Sequence, residues 1–440
     1  MQDHTPSNPS PVSRRQFLKT SSLAATAAAT LSFPAILHAQ NKIAFNAVII
    51  GKGGRGGGAG GNFLAAAKEI DVEAKIVAIA DIFPEAAASG QKDFGVEGAK
   101  CFSGFDAYEK ALAVPGVNYA ILASPPGFRP VHFKAAIAAG KNVFTEKPVC
   151  VDGAGAQVMY AAAEEAKKKG LKVAAGTQRR HQKGYIETIK RIQDGAIGDV
   201  TALRAYWVNG GPIWHRGMKG DTDLERQVHN WYHYIWLSGD HIVEQHVHNI
   251  DVCNWVMNAI PVKAWGMGAR QMLGDKPGEI WDNFAVEFEY ANGVRMHAYC
   301  GQIKRDFSSV SEAVVGSKGT SNPAGNIKPT SGEGWRFRDK ALDPYVQEHV
   351  DLMNAVINNT DLNEGKQVTD SCMTAIMGRE AAYNGGVVEW NDIIENKFAY
   401  GPAELYSNPA GMKFGAFRTL KSPLPSQHDI FKDKVELPTA

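Results

Sequence analysis

Ile43-Ala44-Phe45-Asn46-Ala47-Val48-Ile49-Ile50-Gly51-Lys52-Gly53-Gly54-Arg55-Gly56 decides how the first half of this chain folds. A largely apolar run ends directly on a glycine-rich turn, which predicts a buried strand feeding a helix. The glycines have separate tasks. Gly51 permits the tight turn, Gly53 lets backbone approach a pyrophosphate, and Gly56 allows close helix–strand packing. The helix that follows points its N-terminal amides at the anion. The glycines alone would also suit a flexible loop, so the flanking pattern carries the reading. A second strand, Ala74–Ala80, ends on Asp81. There a carboxylate can accept hydrogen bonds from adenosine ribose hydroxyls, and it favours NAD over NADP, whose 2′-phosphate would meet like charge.

Working outward, strand and helix patterns keep alternating. Val117–Ala123 reads as a buried strand followed by Ser124-Pro125-Pro126 and a helix, and Asn142–Thr145 leads into Glu146-Lys147-Pro148. Such alternation predicts a doubly wound parallel sheet with its ligand site at the carboxyl ends of the strands. Beyond Gly176 the pattern changes to longer strands at Val200–Val208, Val262–Met272, Phe284–Tyr290 and Val294–Ile303, the last two joined by Asn292-Gly293, a hairpin signal. A late helical stretch, Thr369–Tyr383, is expected to pack at the domain junction.

The N-terminus has three parts: a Pro/Ser-rich stretch with Ser13-Arg14-Arg15-Gln16-Phe17-Leu18-Lys19, a mild apolar run from Leu18 to Leu37, and a cleavage candidate at Leu37-His38-Ala39. It reads as a twin-arginine export signal. Pro34 and the Ala/Ser/Thr content speak against a permanent membrane anchor. The expected partner is the twin-arginine export machinery, and the expected destination is the periplasm or another exported location. Lys+Arg number 47 against 46 Asp+Glu, which leaves no basic field for nucleic acid. The scattered Cys101, Cys150, Cys253, Cys300 and Cys372 make no disulfide framework.

The fingerprint Gly51–Gly56, Ser124-Pro125-Pro126 with His132 downstream, Glu146-Lys147-Pro148, Gly176–His181, the Glu244–Asp251 segment and Ala375–Tyr383 occur in an order that resembles the Gfo/Idh/MocA oxidoreductases. The resemblance covers roughly residues 42–392 and implies an α/β Rossmann dinucleotide-binding domain plus an α+β domain with a large, mostly antiparallel sheet. The expected division is a signal peptide at 1–39, an NAD-binding domain at 42–165, a substrate and oligomerisation domain at 166–400 and a tail at 401–440. The tail, rich in proline, is expected to wrap a neighbouring domain or subunit or to be partly disordered. The resemblance also implies a homo-oligomer, dimer or tetramer, formed through the open sheet.

For chemistry, the resemblance points first to Lys147, whose ammonium on a strand-end loop can polarise a substrate hydroxyl and share in proton transfer. Glu146 is read as positioning Lys147. In the cluster Gly239–Asp251, Glu244 and His248 lie one turn apart if the segment is α-helical. His248 matches the family's histidine, a candidate general base. Glu244 replaces the usual Asp, His246 stands where Gly is common, and Asp251 is placed to orient the helix or the His248 ring. The cofactor-binding set is Gly51, Gly53, Gly54, Arg55, Gly56, Asp81, Ser124, Pro125, His132, Glu146 and Lys147. Arg179, Arg180 and Tyr185 contact substrate or hold the domain junction, and Trp214, His215 and Arg216 are candidates for pocket lining. His229, His233, His241, His246 and His248 invite a metal reading, but their spacing is not H-E-x-x-H, and no metal is expected.

These readings converge on an exported oxidoreductase of a sugar, polyol or glycoside with tightly bound NAD. An exported enzyme without a free nucleotide pool must return the hydride, to a second sugar or to the same one. The alternatives are a redox-neutral NAD-dependent glycosidase and a non-catalytic sugar-binding protein.

Overall fold

Two sheets organise the chain, and the change in sequence pattern near Gly176 marks the passage from one to the other. The computed structural model describes residues 43–209, 217, 219–303, 307–425 and 427–431. The export leader and the Trp214-His215-Arg216 triplet lie outside the described residues.

The first sheet has six parallel strands: β1 (Phe45–Ile50), β2 (Ala74–Asp81), β3 (Cys101–Ser103), β4 (Tyr119–Leu122), β5 (Asn142–Thr145) and β6 (Val173–Ala175), in spatial order β3-β2-β1-β4-β5-β6. The order reverses between β1 and β4, which opens a crevice at their carboxyl ends. Helices α1 (Gly54–Glu69), α2 (Pro84–Phe94), α3 (Ala107–Leu112), α4 (Arg129–Ala138) and α5 (Gly153–Lys168) alternate with the strands. Strand β4 is apolar throughout and β1 is apolar but for Asn46, because both faces of the sheet are covered, as parallel sheets require.

After α6 (Lys183–Gln193) comes a nine-stranded sheet, ordered β14-β13-β12-β11-β7-β10-β9-β8-β15. Its central strands are β7 (Val200–Val208), β8 (Lys263–Ala269), β9 (Asn283–Glu289), β10 (Arg295–Gly301) and β11 (Ser309–Gly316). All pairings are antiparallel except β7 with β10. The β9–β10 hairpin turns at the expected Asn292-Gly293, with Gly293 at φ 81°. The strands of this sheet missed by pattern are β11 and four shorter ones, β12 (Gly319–Asn322), β13 (Asn326–Pro329), β14 (Trp335–Arg336) and β15 (Val388–Glu389). These four are short, and β12 and β13 carry Gly, Asn, Thr and Pro, as strands at a sheet margin do.

Three helices join the halves. Between β7 and β8, α7 (Asp223–His229) leads to α8 (Val247–Met257). Later, α9 (Pro344–Asn358) returns to the first domain and packs against α1. There Val350, Leu352 and Met353 enter the core of Phe45, Phe63 and Tyr119, and Tyr119 Oη lies 2.8 Å from His349 Nδ1. Strand β6 and this late helix thus pack with the first sheet. The stretch expected at the junction is α10 (Gly365–Asn384), packed between α5 and strands β8 and β9. Gly378 permits that contact, since a Cβ there would lie 2.5 Å from Phe288 Cζ. The described part of the tail, to Phe431, packs on its own chain. No helix among the described residues is long and apolar enough to cross a membrane, and all five cysteines are free thiols.

Candidate active site

The fingerprint builds the crevice at the β1–β4 switch point. Gly51 sits at φ 92°, and a Cβ there would lie 2.3 Å from Ser124 N; a Cβ on Gly56 would lie 1.9 Å from Gly51 O. Both glycines are demanded by the protein's own backbone. A Cβ on Gly53 or Gly54 meets nothing within 4 Å, so their small size leaves space for something outside the fold. The crevice opens into a cavity of about 530 Å³ lined by Gly51, Asp81, Ser124, Pro125 and His132. Ser124 Oγ and His132 Nδ1 are 2.9 Å apart, and burial pushes His132 down to about 3, so it is held neutral.

Asp81 Oδ2 accepts from Lys52 N at 2.7 Å and Oδ1 from Phe83 N at 3.0 Å. It thereby ties the fingerprint turn to the loop after β2, while each oxygen keeps a lone pair for a hydroxyl. Burial nevertheless raises its pKa. Amides at the α1 N-terminus and a carboxylate at the end of β2 fit the pyrophosphate and ribose of a dinucleotide.

The Glu146-Lys147-Pro148 loop follows β5 at the same sheet end. Arg129, fully buried at the start of α4, donates to Pro148 O at 2.5 Å and braces that loop. The Arg55 guanidinium pairs with Glu146, lies 3.6 Å from Glu348 Oε1 and stacks over Tyr345. It therefore links the fingerprint loop to the Lys147 loop through its side chain. Lys147 is buried, and its Nζ bonds the carbonyl of Glu244 and, at 3.3 Å, Glu244 Oε1. Burial raises the Glu244 carboxyl while the neighbouring Lys147 and Arg129 charges lower it; the net direction is up.

The segment expected as plain α-helix is wound as a π-helix over Ile242–His246 before α8 begins. Glu244 and His248 thus do not share a simple α-helical turn, and single-turn π segments recur at functional sites. Asp240 starts the segment at φ 73°. Its carboxylate accepts from Trp281 N at 2.8 Å and from His241 N and the Tyr383 hydroxyl. The His248 ring stacks on Trp207, with centroids 5.6 Å apart at 18°. Burial first, then the Lys147 charge, push its pKa well below the ordinary value. His248 Nδ1, Glu244 Oε2 and both ring nitrogens of His246 are buried without a partner among the described residues. Buried polar atoms normally find partners, so this cluster is built to meet one from outside.

Other candidates are engaged elsewhere. Arg179 donates to Glu312 Oε1 at 2.8 Å, and Tyr185 Oη donates to Glu312 Oε2 at 3.0 Å, with Asn249 on the same carboxylate. Arg180 forks onto Asp251 at 2.9–3.1 Å and stacks over Trp255. Asp251 also accepts from Gln367 and from Ser371 at 2.7 Å. Arg179, Arg180 and Tyr185 are thus each bonded to a carboxylate of the second domain, and Asp251 bonds Arg180, Gln367 and Ser371. Glu312, Glu348 and Arg129 carry no local signal that marks them in sequence. Among the described residues, no three His, Cys, Asp or Glu side chains are arranged to hold a metal ion.

Comparison with known proteins agrees with this architecture. Residues 45–175 match the model of the Gfo/Idh/MocA oxidoreductase family with its NAD-binding Rossmann fold, 185–322 match the family's C-terminal domain, and 11–32 match the twin-arginine translocation signal. An inositol 2-dehydrogenase of Gluconacetobacter diazotrophicus is 26% identical over 63% of this chain and 77% of its own length. A second, from Saccharopolyspora erythraea, is 28% identical over 72% and 87%. Similar solved folds include an aldose–aldose oxidoreductase of Caulobacter crescentus with glycerol, at TM-score 0.62, 19% identity and 79% and 100% coverage. Another is a scyllo-inositol dehydrogenase of Lactobacillus casei with NAD(H) and scyllo-inositol, at TM-score 0.61, 19% identity and the same coverage.

Proposed function

The chain belongs to the Gfo/Idh/MocA oxidoreductase family, and on that premise we propose that it is an exported dehydrogenase oxidising a hydroxyl of a sugar or polyol. The NAD-binding domain and dehydrogenase relatives make it an NAD-dependent enzyme of CH–OH groups. The observation that carries the substrate reading is the buried set of Lys147, Glu244 and His248, with His248 Nδ1 and Glu244 Oε2 lacking partners.

The bound nicotinamide supplies the hydride acceptor. Lys147 donates a hydrogen bond to the substrate oxygen and stabilises the charge that grows there as its proton leaves. Neutral His248, held flat by Trp207, takes the hydroxyl proton and returns it on reduction. Glu244 holds the Lys147 ammonium in place. Burial keeps water from competing for these bonds. The unpartnered Glu244 oxygen and His246 ring exceed what one proton transfer needs, which supports a second reading: removal of a C–H proton beside the new ketone, loss of an aglycone, hydration and reduction.

The twin-arginine signal directs the chain out of the cytoplasm, and we take its destination as the periplasm, with NAD resident and regenerated on the enzyme. The test adds inositols, aldoses and aryl glycosides to the purified mature protein while absorbance at the NADH wavelength and aglycone release are recorded. NADH formation with a sugar or polyol supports the dehydrogenase, and aglycone release without net NADH supports the glycosidase. Neither signal, with NAD recovered from the denatured protein, refutes both and leaves a binding protein.

A further inference from the structure

The outer side of the nucleotide cavity is closed by two segments remote from the Rossmann strands. From α7 comes Val228 in the cavity wall, and the His229 ring stacks on Phe83 with centroids 3.9 Å apart and planes 11° from parallel. Phe83 is the residue whose N–H staples Asp81. From the C-terminal tail comes Pro409 in the same wall, with Phe414 stacked at 5.8 Å on Phe83 and edge-on at 5.1 Å to Phe105.

This stretch of tail is tied down on both sides of Pro409 and Phe414. Before it, Tyr406 Oη donates to Asp152 Oδ1 at 3.0 Å. After it, Leu420 N donates to Glu279 Oε1 at 2.8 Å, and the Trp281 indole donates to Pro423 O at 2.9 Å. Between these points it is laced to α7, through Leu224 N to Gly415 O at 3.1 Å and Gln227 Nε2 to Arg418 O at 3.0 Å. Asp152, Glu279 and Trp281 are all fully or almost fully buried.

We infer that α7 and the Pro409–Arg418 strap hold the adenosine end of the dinucleotide in its cleft, with His229 and Phe414 as the retaining residues, so that the cofactor stays bound through turnover. The inference rests on the cleft being the NAD site, and it goes beyond that reading by saying what keeps the nucleotide there. Asp81 and the glycine turn select the ligand, but they sit at its inner side and leave the outer side open. A planar adenosine end beside Ile82 and Phe105 is shielded from water only when the Phe83–His229–Phe414 layer is in place. Departure then requires the strap to lift as a local opening, which breaks tertiary hydrogen bonds at both anchors. Such a layer slows dissociation more than it alters recognition, because it contributes contacts that must be undone before release.

The test preloads the full-length mature protein with NADH and follows the fluorescence change when excess NAD is added as a chase. Wild-type protein is expected to release NADH slowly. Phe414→Ala and His229→Ala are each expected to speed release about tenfold, the scale of one lost aromatic contact. Phe414→Tyr is expected to keep slow release, and circular dichroism with thermal unfolding verifies that each variant is folded. Release from both alanine variants at the wild-type rate overturns the strap alone. Faster and tighter NADH binding by Phe414→Ala also overturns it, because the ring then blocks the cleft instead of closing it. Failure of the wild type to bind NADH at all overturns the cleft assignment, and the strap with it.

Discussion

Lys147 and Glu244 share one buried bond network, so removing the lysine has two consequences. Lys147→Ala leaves Glu244 as an uncompensated buried carboxylate, which costs stability as well as chemistry. His248 has no ion-pair partner of this kind, so it separates the two effects. His248→Gln is expected to lower kcat on the order of 10²- to 10⁴-fold, the contribution of a positioned acid–base group. KM and thermal midpoint should change little; a rise in KM with kcat intact would make His248 a substrate-positioning group instead. The pH profile gives a second test. Neutral imidazole is the active form, and burial holds its pKa well below 6.5. Activity is therefore expected to hold its plateau as pH falls through 6.5 and to drop only at the depressed value. An acid limb in kcat/KM at 6.5 or above that disappears in His248→Gln would refute this. Lys147, Glu244 and His248 were legible in sequence because they stand at motif positions. Glu312 and Arg129 were not, since their meaning lies in distant partners, Arg179 and Pro148 O.

At the scale of the element, the π-helix over Ile242–His246 sets the spacing between Glu244, within it, and His248, in the helix that follows. Apolar periodicity does not encode an i→i+5 turn, and the segment was legible only as helix. What holds it is Asp240, in a left-handed conformation that Asn, Asp and Gly tolerate. Asp240→Ala removes the acceptor for Trp281, His241 and Tyr383 and puts a Cβ-only side chain at positive φ. It is expected to cost about 3 kcal/mol, more than one lost hydrogen bond, read from urea midpoints. Asp240→Asn keeps the conformation and one acceptor, so its loss should be smaller. Burial raises the Asp240 pKa from 3.8 to about 6. The folded state therefore binds the extra proton in that window, and this group's contribution to stability falls as pH rises from 3.8 to 6. The Asn variant should lack that slope; an identical pH dependence in both proteins would contradict the assignment. Strands β7 to β10 were legible because their alternation and hairpin signal are local. The polar margin strands β12 to β14 are shaped by pairing with their neighbours, which a single run of residues does not display.

At the scale of the whole molecule, the described residues leave exposed side chains on one face of the second sheet. Register places Tyr206, Tyr299, Ala285 and Met267 side by side in a row across β7, β10, β9 and β8. Tyr206 and Tyr299 stack at 5.9 Å. Met267 is 60% exposed, and Trp265 two residues away is 47% exposed. An aromatic and aliphatic row on a regular sheet suits association better than solvation. A second copy of the same face would bury it isologously, as two-fold interfaces do. The row lies on the opposite side of the sheet from residues such as Phe288 that pack against α10, so pairing there leaves the active site and the strap untouched. Sedimentation of the mature protein at micromolar concentration is accordingly expected to show a dimer or larger closed assembly. Met267→Glu with Tyr299→Glu places like charges on β8 and β10, either side of β9, on each face and sets the two copies against one another. This double variant should sediment as a monomer while its NADH release rate stays at the wild-type value. A wild-type monomer, or a double variant that still assembles, would rule out this face as the interface. A double variant that lost nucleotide retention on becoming monomeric would show that the strap is not sufficient within one chain.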